Sequence, residues 1–342
     1  MTRRFDILNL PFLNVSQILF HLDPIDLIEF SLLSKKCQKI VKSVRLPFTE
    51  IELLISRFNL DLIVKTGDKQ DFKWVVNSDH AKKCRVFRKI NGRKMRFYKL
   101  RSRILSKCPQ PALSFSKVSK YLIELFRCPV TYVQLYPDGL QNIQLLVSGF
   151  TNCLDMKLAG NEQMANEDLA FLLENVQVDR DFTFWIQPKN DFICPEAVRF
   201  QCRQLLIIGT SEWFTRQVFL KSRCEQLCVP YNSNIDCFDI AEFVWAWLNS
   251  EDTRIHEIAF PAIRLNVELK AFERLNPRKW DPKERGRSYP ESRTAALDCS
   301  DGMDILRSDG ILATILINKY YFKFLVWHER FPNTEGMSVR SV

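Results

Sequence analysis

The side chains best suited to acid–base or metal chemistry in this 342-residue chain are few and scattered. The four histidines are His21, His80, His256 and His328. His256 precedes Glu257, but a zinc-protease helix needs a second histidine four residues after the first, where Phe260 stands. The chain has neither the GxSxG turn that exposes a serine nucleophile nor the GxxxxGKS/T loop that cradles phosphates. No catalytic constellation of these kinds is indicated.

The cysteine and aspartate spacings do not predict a metal site either. Cys224 and Cys228 are the closest pair among eleven cysteines, and zinc would need two further ligands that no second Cys/His pair supplies. Asp298, Asp301 and Asp304 are three residues apart, whereas a calcium loop alternates its ligands, so we interpret them as turn residues. We therefore expect no cofactor, and free thiols in a reducing compartment, the cytoplasm or nucleus.

Positive charge is concentrated in one segment of the chain. Residues 79–107 contain 12 Lys/Arg and one Asp, a balance of +11 against a total of +9. Asn91-Gly92 lies between two alternating runs, which is a strong signal for a β-hairpin. A solvated hairpin face is the plain interpretation. The alternative is a basic nucleic-acid-binding protein that uses residues 79–107, with stacking candidates at Phe87, Phe97 and Tyr98.

The first 47 residues have the clearest helical pattern. Apolar residues recur at i, i+3, i+4 and i+7 in Val15, Ile18, Leu19 and Leu22. Asp23 can cap a second helix that starts at Pro24, and Ser34 can cap a third. Three short amphipathic helices make a small core that needs a neighbour for stability.

The order of motifs in this region resembles an F-box, over about residues 8–47. The motifs are Leu10-Pro11, Ile18-Leu19, Leu22-Asp23-Pro24, Asp26-Leu27 and Leu33-Ser34-Lys35. The resemblance implies docking on the Skp-type adaptor of a cullin–RING ubiquitin ligase, with no chemistry done by the chain itself. The residues it assigns to the adaptor interface are Leu10, Pro11, Ile18, Leu22, Pro24 and Leu27.

An apolar triplet at i, i+3 and i+5 recurs from residue 125 onward. Its middle positions are 22 to 31 residues apart: Val133, Met156, Phe182, Leu205, Leu227 and Ile258. Leucine-rich repeats use a similar LxxLxL pattern with a period of about 20–29 residues. Cys153, Cys202 and Cys224 share the first position, as small buried hydrophobes would. Residues 125–270 therefore predict a degenerate repeat-like α/β domain of stacked units, with ordinary βαβ alternation as the rival.

The C-terminal part, residues 271–342, changes character. Residues 274–293 are polar and contain three prolines, which predicts a long exposed loop. Apolar runs at 303–307, 311–317 and 321–327 predict an antiparallel meander that caps the repeats, with turns at Ser308-Asp309-Gly310 and Asn318-Lys319.

Part of this region also resembles a known family. Residues 243–260 and 304–327 are similar to the type 2 F-box-associated region of F-box families expanded in nematodes. The signatures are Trp247, Asp309-Gly310 and Val326-Trp327. The similarity spans about residues 200–330 and implies that this region binds the substrate.

The sequence thus predicts an α+β protein: an F-box (1–47), a linker region with the basic hairpin (48–124), the repeat-like domain and the meander. Side chains alternate along a strand, so the neighbours of each buried middle position should share one open face. An unknown protein substrate would bind there, on Tyr132, Gln134, Asp155, Lys157, Gln204, Leu206, Gln226, Cys228, Glu257 and Ala259. The longest uncharged stretches are 16 residues, so no membrane partner is expected.

Overall fold

The computed structural model describes residues 7–67, 71–83, 85–230, 234–261, 270–318 and 321–340. The chain divides into two compact units, the first through Asp179 and the second from Arg180. The fold is α+β, as predicted, with N-terminal helices followed by strand-rich structure. Within the described ranges, no helix is both long and apolar enough to cross a bilayer.

The first unit contains six α-helices among its described residues, besides 3-10 turns at Ile7–Asn9 and Asp79–Lys83. The helices are α1 (Phe12–His21), α2 (Pro24–Leu33), α3 (Lys35–Ser43), α4 (Pro111–Phe126), α5 (Ile143–Val147) and α6 (Asn166–Asn175). The strands are β1 (Phe48–Ile55), β2 (Leu60–Thr66), β3 (Phe72–Val76), β4 (Phe87–Ile90), β5 (Arg93–Lys99), β6 (Arg103–Lys107), β7 (Val130–Leu135) and β8 (Asn152–Met164).

The second unit takes up most of β9 (Gln177–Pro188) and everything after it. Its helices are α7 (Arg216–Lys221), α8 (Cys237–Leu248) and α9 (Lys270–Glu273). Its further strands are β10 (Gln204–Ile207), β11 (Gln226–Cys228), β12 (Glu257–Pro261), β13 (Arg278–Lys279), β14 (Ser288–Pro290), β15 (Ala295–Asp298), β16 (Met303–Leu306), β17 (Leu312–Ile317), β18 (Tyr321–Trp327) and β19 (Ser338–Arg340).

The three predicted N-terminal helices form where the capping signals indicated. Pro24 occupies the first turn of α2, but the Asp23 side chain makes no capping hydrogen bond there. At the start of α3 the Ser34 hydroxyl does accept a hydrogen bond from the Cys37 amide, as predicted. Their inward faces make a small apolar core of Val15, Leu19, Ile25, Leu27, Ile28, Cys37 and Val41. Burying these side chains supplies most of the helices' stability, because helices this short are marginal alone.

Residues 48–124 hold far more structure than a linker. They contribute β1 to β6 to a sheet whose order in the first unit is β8-β7-β1-β2-β3-β6-β5-β4, with α4 packed beside it. The hairpin prediction is confirmed: Asn91 and Gly92 join β4 to β5 with φ of 44° and 83°. The other strands of this region were not predicted, because their pairing is not local: β1 pairs with β7, about 80 residues later.

The repeat register is confirmed within each unit. In the first unit, β7 and β8 are parallel and pair Val133 with Met156. In the second, β9, β10, β11 and β12 are parallel, and the middle positions align in one row of Phe182, Leu205, Leu227 and Ile258. All six middle positions are buried. The period therefore reflects in-register stacking of equivalent strands.

The meander is confirmed, and it has a second layer that was not predicted. Strands β16, β17 and β18 are antiparallel, and β18 continues the sheet from β12. Residues 274–293, expected as an exposed loop, include β14 and the buried Arg285 and Tyr289. Strands β14, β15 and β19 form a three-stranded sheet, and Tyr289 and Leu297 share an apolar core with residues of β17 and β18. Lys319, in the second predicted turn, lies outside the described residues.

Candidate functional site

Helix α1 exposes several large apolar side chains. Helix α1, FLNVSQILFH, has no charged residue before its terminal histidine. The exposed fractions of its outward side chains are 57% for Phe12, 68% for Leu13 and 45% for Phe20, and Leu33 at the end of α2 is 73% exposed. Leu13 and Phe20 are seven residues apart and so lie on one helix face. A cluster of exposed large apolar side chains marks an interaction surface more often than a solvated one.

The predicted adaptor-binding residues divide into two groups. Pro11 is exposed, and Leu10, Ile18 and Leu22 are partly exposed, so these four can contact a partner. Pro24 and Leu27 are buried in the chain's own core, where Leu27 is only 1% exposed. Their contribution in this structure is to the junction and packing of the helices.

Sequence reasoning missed Phe12, Leu13, Phe20 and Leu33, although a signal was present. An amphipathic helix in a globular protein needs apolar residues on one stripe only. Val15 and Leu19 complete that stripe in α1, and both are buried. Phe12, Leu13 and Phe20 are apolar residues beyond that requirement, and such an excess indicates a face that a partner covers.

Polar contacts attach the helices to the remainder of the first unit. Ser31 of α2 and Tyr121 of α4 share a buried hydrogen bond, and burial raises the pKa of Tyr121 to about 12. Lys42 of α3 forms an ion pair with Glu124, 2.9 Å from Nζ to Oε2. Neither contact involves α1, whose large apolar side chains remain exposed.

The basic hairpin adds two more attachments. Arg88 of β4 forms an ion pair with Glu29 of α2, 2.9 Å from Nη2 to Oε2, and Lys99 of β5 forms one with Asp26. Both acids lie on the helix that also supplies Ser31. The helices and the sheet of the first unit are thereby joined through several independent contacts.

The predicted substrate face is present in the first unit. Tyr132 lies opposite Asp155, and Gln134 lies opposite Lys157, on the parallel pair β7 and β8. All four side chains are partly exposed. Burial raises the pKa of Tyr132, and the neighbouring Tyr136, Glu52 and Asp155 raise it further.

In the second unit the corresponding face is closed at one end. Gln204 and Gln226 are paired and partly exposed, as predicted. Leu206 and Cys228 form the next pair of that face. Ala259, however, is buried.

Glu257 is engaged within the chain at the same closed end. Its Oε1 accepts a hydrogen bond from Lys323 Nζ at 2.8 Å, and Lys323 also binds Glu291. Burial lowers the pKa of Lys323, but Glu257 and Glu291 outweigh that effect and raise it. Lys323 belongs to β18, and Glu291 directly follows β14 of the three-stranded sheet. These two elements cover the end of the strand face that stacked repeats alone would leave exposed. Glu257 and Ala259 therefore do not extend the open face.

The thiols and acids considered for chemistry are structural where the structure describes them. Burial raises the pKa of Cys299 to about 12, which opposes thiolate formation. Cys202 and Cys224 are buried with their sulfurs 3.6 Å apart, a contact that raises the pKa of Cys224 together with burial. Asp304, taken as a turn residue, is a buried strand residue bonded to Arg285. Among the described side chains, no cluster of three or more His, Cys, Asp or Glu could hold a metal.

Comparison with known proteins places these observations in context. Residues 7–49 match the F-box domain. Such domains in general give a protein a non-catalytic adaptor role in Skp–cullin–F-box ligases. No solved structure matches the chain.

Three Caenorhabditis elegans proteins resemble nearly the whole chain. Uncharacterized protein F59B2.9 is 24% identical over 97% of this chain and 81% of its own length. Uncharacterized protein F59B2.8 is 26% identical over 98% and 81%. Uncharacterized protein F54H12.5 is 22% identical over 94% and 93%. The similarity therefore extends well beyond the residues of the F-box.

Proposed function

We propose that this chain is the substrate-recognition subunit of a Skp–cullin–F-box ubiquitin ligase. Its F-box would bind a Skp-type adaptor, and the adaptor would connect it to a cullin–RING ligase. The observation that carries the proposal is the open apolar face of α1 inside the segment that matches the F-box domain. Holding a target beside a ubiquitin-charged enzyme raises its effective concentration, so the chain itself needs no catalytic group.

The adaptor interface in this proposal is centred on α1. Leu13 and Phe20 are its anchors, and Phe12 of α1 and Leu33 of α2 are further exposed apolar side chains that could join them. The partly exposed residues named by the sequence, Leu10, Pro11, Ile18 and Leu22, form the remainder. A few large apolar side chains near the centre of an interface usually carry most of its binding energy.

The attachments behind the helices give the proposal a mechanical basis. A ubiquitin ligase acts by proximity, so a receptor that held its adaptor loosely would position the target poorly. The Tyr121–Ser31 hydrogen bond and the ion pairs of Glu29 and Glu124 join the three helices to α4 and the hairpin. The adaptor-binding helices would then move with the sheet that follows them.

The target-binding surface is the less defined half of the proposal. In the first unit it would include Tyr132, Gln134, Asp155 and Lys157, which the strand register brings together. In the second unit, Gln204 and Gln226 remain available, and the resemblance to a type 2 F-box-associated region assigns substrate binding to about residues 200–330. Mixed aromatic, amide and charged side chains are the usual composition of a protein-binding rim.

Co-purification of the full chain with a Skp-type adaptor tests the proposal. Leu13→Asp with Phe20→Asp should abolish recovery of the adaptor, because each anchor is expected to contribute about 30-fold or more to affinity. Both side chains are already exposed, so the variant should fold with an unchanged circular dichroism spectrum. Full recovery of the adaptor with this variant would contradict the proposed interface.

Phe58→Asp is the matched control. Phe58 is 86% exposed in the turn between β1 and β2, so the substitution makes the same chemical change away from the helices and should leave adaptor recovery intact. Leu27→Ala is a poor probe of binding, since removing a fully buried leucine leaves a cavity and destabilises the helices themselves.

We expect this activity in the cytoplasm or nucleus, where thiols stay reduced. None of the ten cysteines that the structure describes is in a disulfide. Their burial, with one partly exposed at Cys228, is the behaviour of small hydrophobes.

A further inference from the structure

The outer face of β4, β5 and β6 carries cations in cross-strand rows. Lys89 lies directly opposite Lys94. In the next row, Phe87 lies opposite Arg96, which lies opposite Lys107 on β6. We call these five residues, with Tyr98 two positions beyond Arg96, the basic strand face. The inward residues of the same strands, Ile90, Met95, Phe97 and Ile104, are buried, so this sheet segment has one packed side and one charged side.

Several cations of these strands are neutralised by carboxylates, and the Lys89–Lys94 row differs from them. Arg88 pairs with Glu29, Lys99 with Asp26, and Lys107 with Asp79. Lys89 and Lys94 have no carboxylate partner among the described residues, and both are exposed. Like charges directly opposite each other destabilise a strand pair. Binding of an anion would reduce the repulsion between Lys89 and Lys94, since neither has an acidic partner among the described residues.

Aromatic rings lie among these cations. Phe87 is 43% exposed and Tyr98 is 42% exposed. Lys94 Nζ is 4.6 Å from the centre of the Phe87 ring, and the Arg96 guanidinium carbon is 5.9 Å from it. A shallow cleft of about 680 Å³ opens beside them, lined by Phe87, Lys94, Arg96, Lys107 and Pro109. Phe97, the third ring suggested by the sequence, is buried and cannot stack on a ligand.

We propose that the basic strand face binds single-stranded nucleic acid, independently of the adaptor. Successive rows are two residues apart, roughly 7 Å along the strand, so an extended polyanion can contact both. Lysines act as point charges toward repeated phosphates, while recognition of one phosphate or carboxylate favours forked arginine pairs. Exposed rings between cations provide surfaces on which bases stack without sequence preference. Together these features fit a nucleic-acid strand better than a phosphopeptide.

Fluorescence anisotropy of the full chain with a labelled 15-residue oligouridylate tests this proposal. Lys89 and Lys94 on two phosphates predict a slope of about −1.4 for log affinity against log salt, or about 7-fold weaker binding at 200 mM than at 50 mM. Lys89→Glu with Lys94→Glu should weaken binding and bring the slope close to zero. Phe87→Ala should weaken it about 5- to 150-fold with the slope unchanged, because stacking releases no counterions.

Lys120→Glu with Lys189→Glu is the matched control. These lysines are exposed, one in each unit, and the variant has the same net charge as the double variant of the face. It should bind the oligonucleotide with nearly wild-type affinity. The proposal is overturned by absence of binding at 50 mM salt, by equal effects of the two double variants, or by equal affinity for inorganic polyphosphate together with an unaffected Phe87→Ala variant.

Discussion

Two segments of this chain contain many cations but differ in their acids and in structure: residues 79–107 have 12 Lys/Arg and one Asp/Glu, and residues 274–307 have eight and six. Residues 79–107 lie in the first unit and residues 274–307 in the second. In the second, Arg278, Arg285, Arg287 and Arg307 are each ion-paired with a carboxylate. In the first, Lys89 and Lys94 have no carboxylate partner among the residues that the structure describes. The acid content already separates the two segments, and the position of each carboxylate shows which individual cations are structural and which are available to a partner.

Arg285 is the extreme of the structural kind. Its Nε donates to both oxygens of Asp304, its Nη2 donates to the Cys299 carbonyl, and its guanidinium lies 4.7 Å from the Trp327 ring centre. Asp304 also accepts a hydrogen bond from Thr314. Every charged atom of the pair is therefore enclosed and bonded, which a buried ion pair requires.

The largest expected effect follows from this burial. Arg285→Ala should lower the free energy of unfolding of the second unit by about 3–5 kcal/mol, because it leaves the Asp304 carboxylate buried without its partner. Urea titration followed by tryptophan fluorescence measures it, since six of the seven tryptophans lie after residue 179. Arg285→Met combined with Asp304→Leu should recover much of the loss. If the single variant lost less than about 1 kcal/mol, Arg285 would not be a structural cation of the kind described, and the contrast between the two segments would be wrong.

A pH titration tests a partly buried histidine in the second unit. The rings of His256 and His328 are 4.1 Å apart, and Tyr289 donates to the His256 carbonyl. Burial lowers the pKa of His256, His328 lowers it further, and Glu225 partly opposes them. The unfolded state therefore binds the proton more tightly, and stability should fall as pH drops below about 6.5.

Urea midpoints between pH 7.5 and 5 measure this effect. His256→Asn should flatten the dependence in that range, while His21→Asn, a change at an exposed residue of α1, should leave it as it is. A midpoint that rises on acidification would mean that the histidine pair gains a carboxylate partner on protonation, contrary to the structure.

The comparison also shows what sequence could predict. The three N-terminal helices, the Asn91-Gly92 hairpin and the register of the repeat strands follow from local signals, namely caps, turn residues and a fixed period. Arg285 gave no such signal, because its partners Cys299 and Asp304 are 14 and 19 residues away and lie on other elements. The polar, proline-containing sequence around it is typical of a loop, and only tertiary packing buries it.

The candidate site was predictable in the same uneven way. The F-box motif order, over about residues 8–47, falls within the segment 7–49 that matches the F-box domain, but it could not tell Leu27, which packs inward, from Leu13, which faces out. Both are leucines in short helices, and their roles depend on the hairpin and α4 that cover α2. Likewise, the closure of the open face at Glu257 depends on Lys323 and Glu291, which come from separate elements.

The smallest expected effect concerns the basic strand face itself. Lys89→Met with Lys94→Met removes a pair of like charges that lie directly opposite each other. It should therefore raise the free energy of unfolding of the first unit by about 0.2–1 kcal/mol at low salt. The gain should shrink as salt is added, because screening already weakens the repulsion in the wild type. Hydrogen exchange of the β4 and β5 amides at 20 mM and 500 mM salt measures it locally.

Lys120→Met on α4 serves as the control, since it removes an exposed lysine that has no such neighbour across a strand pair. Loss of protection in the double variant would show that these lysines stabilise the hairpin, and the contrast with Arg285 would then be one of degree only.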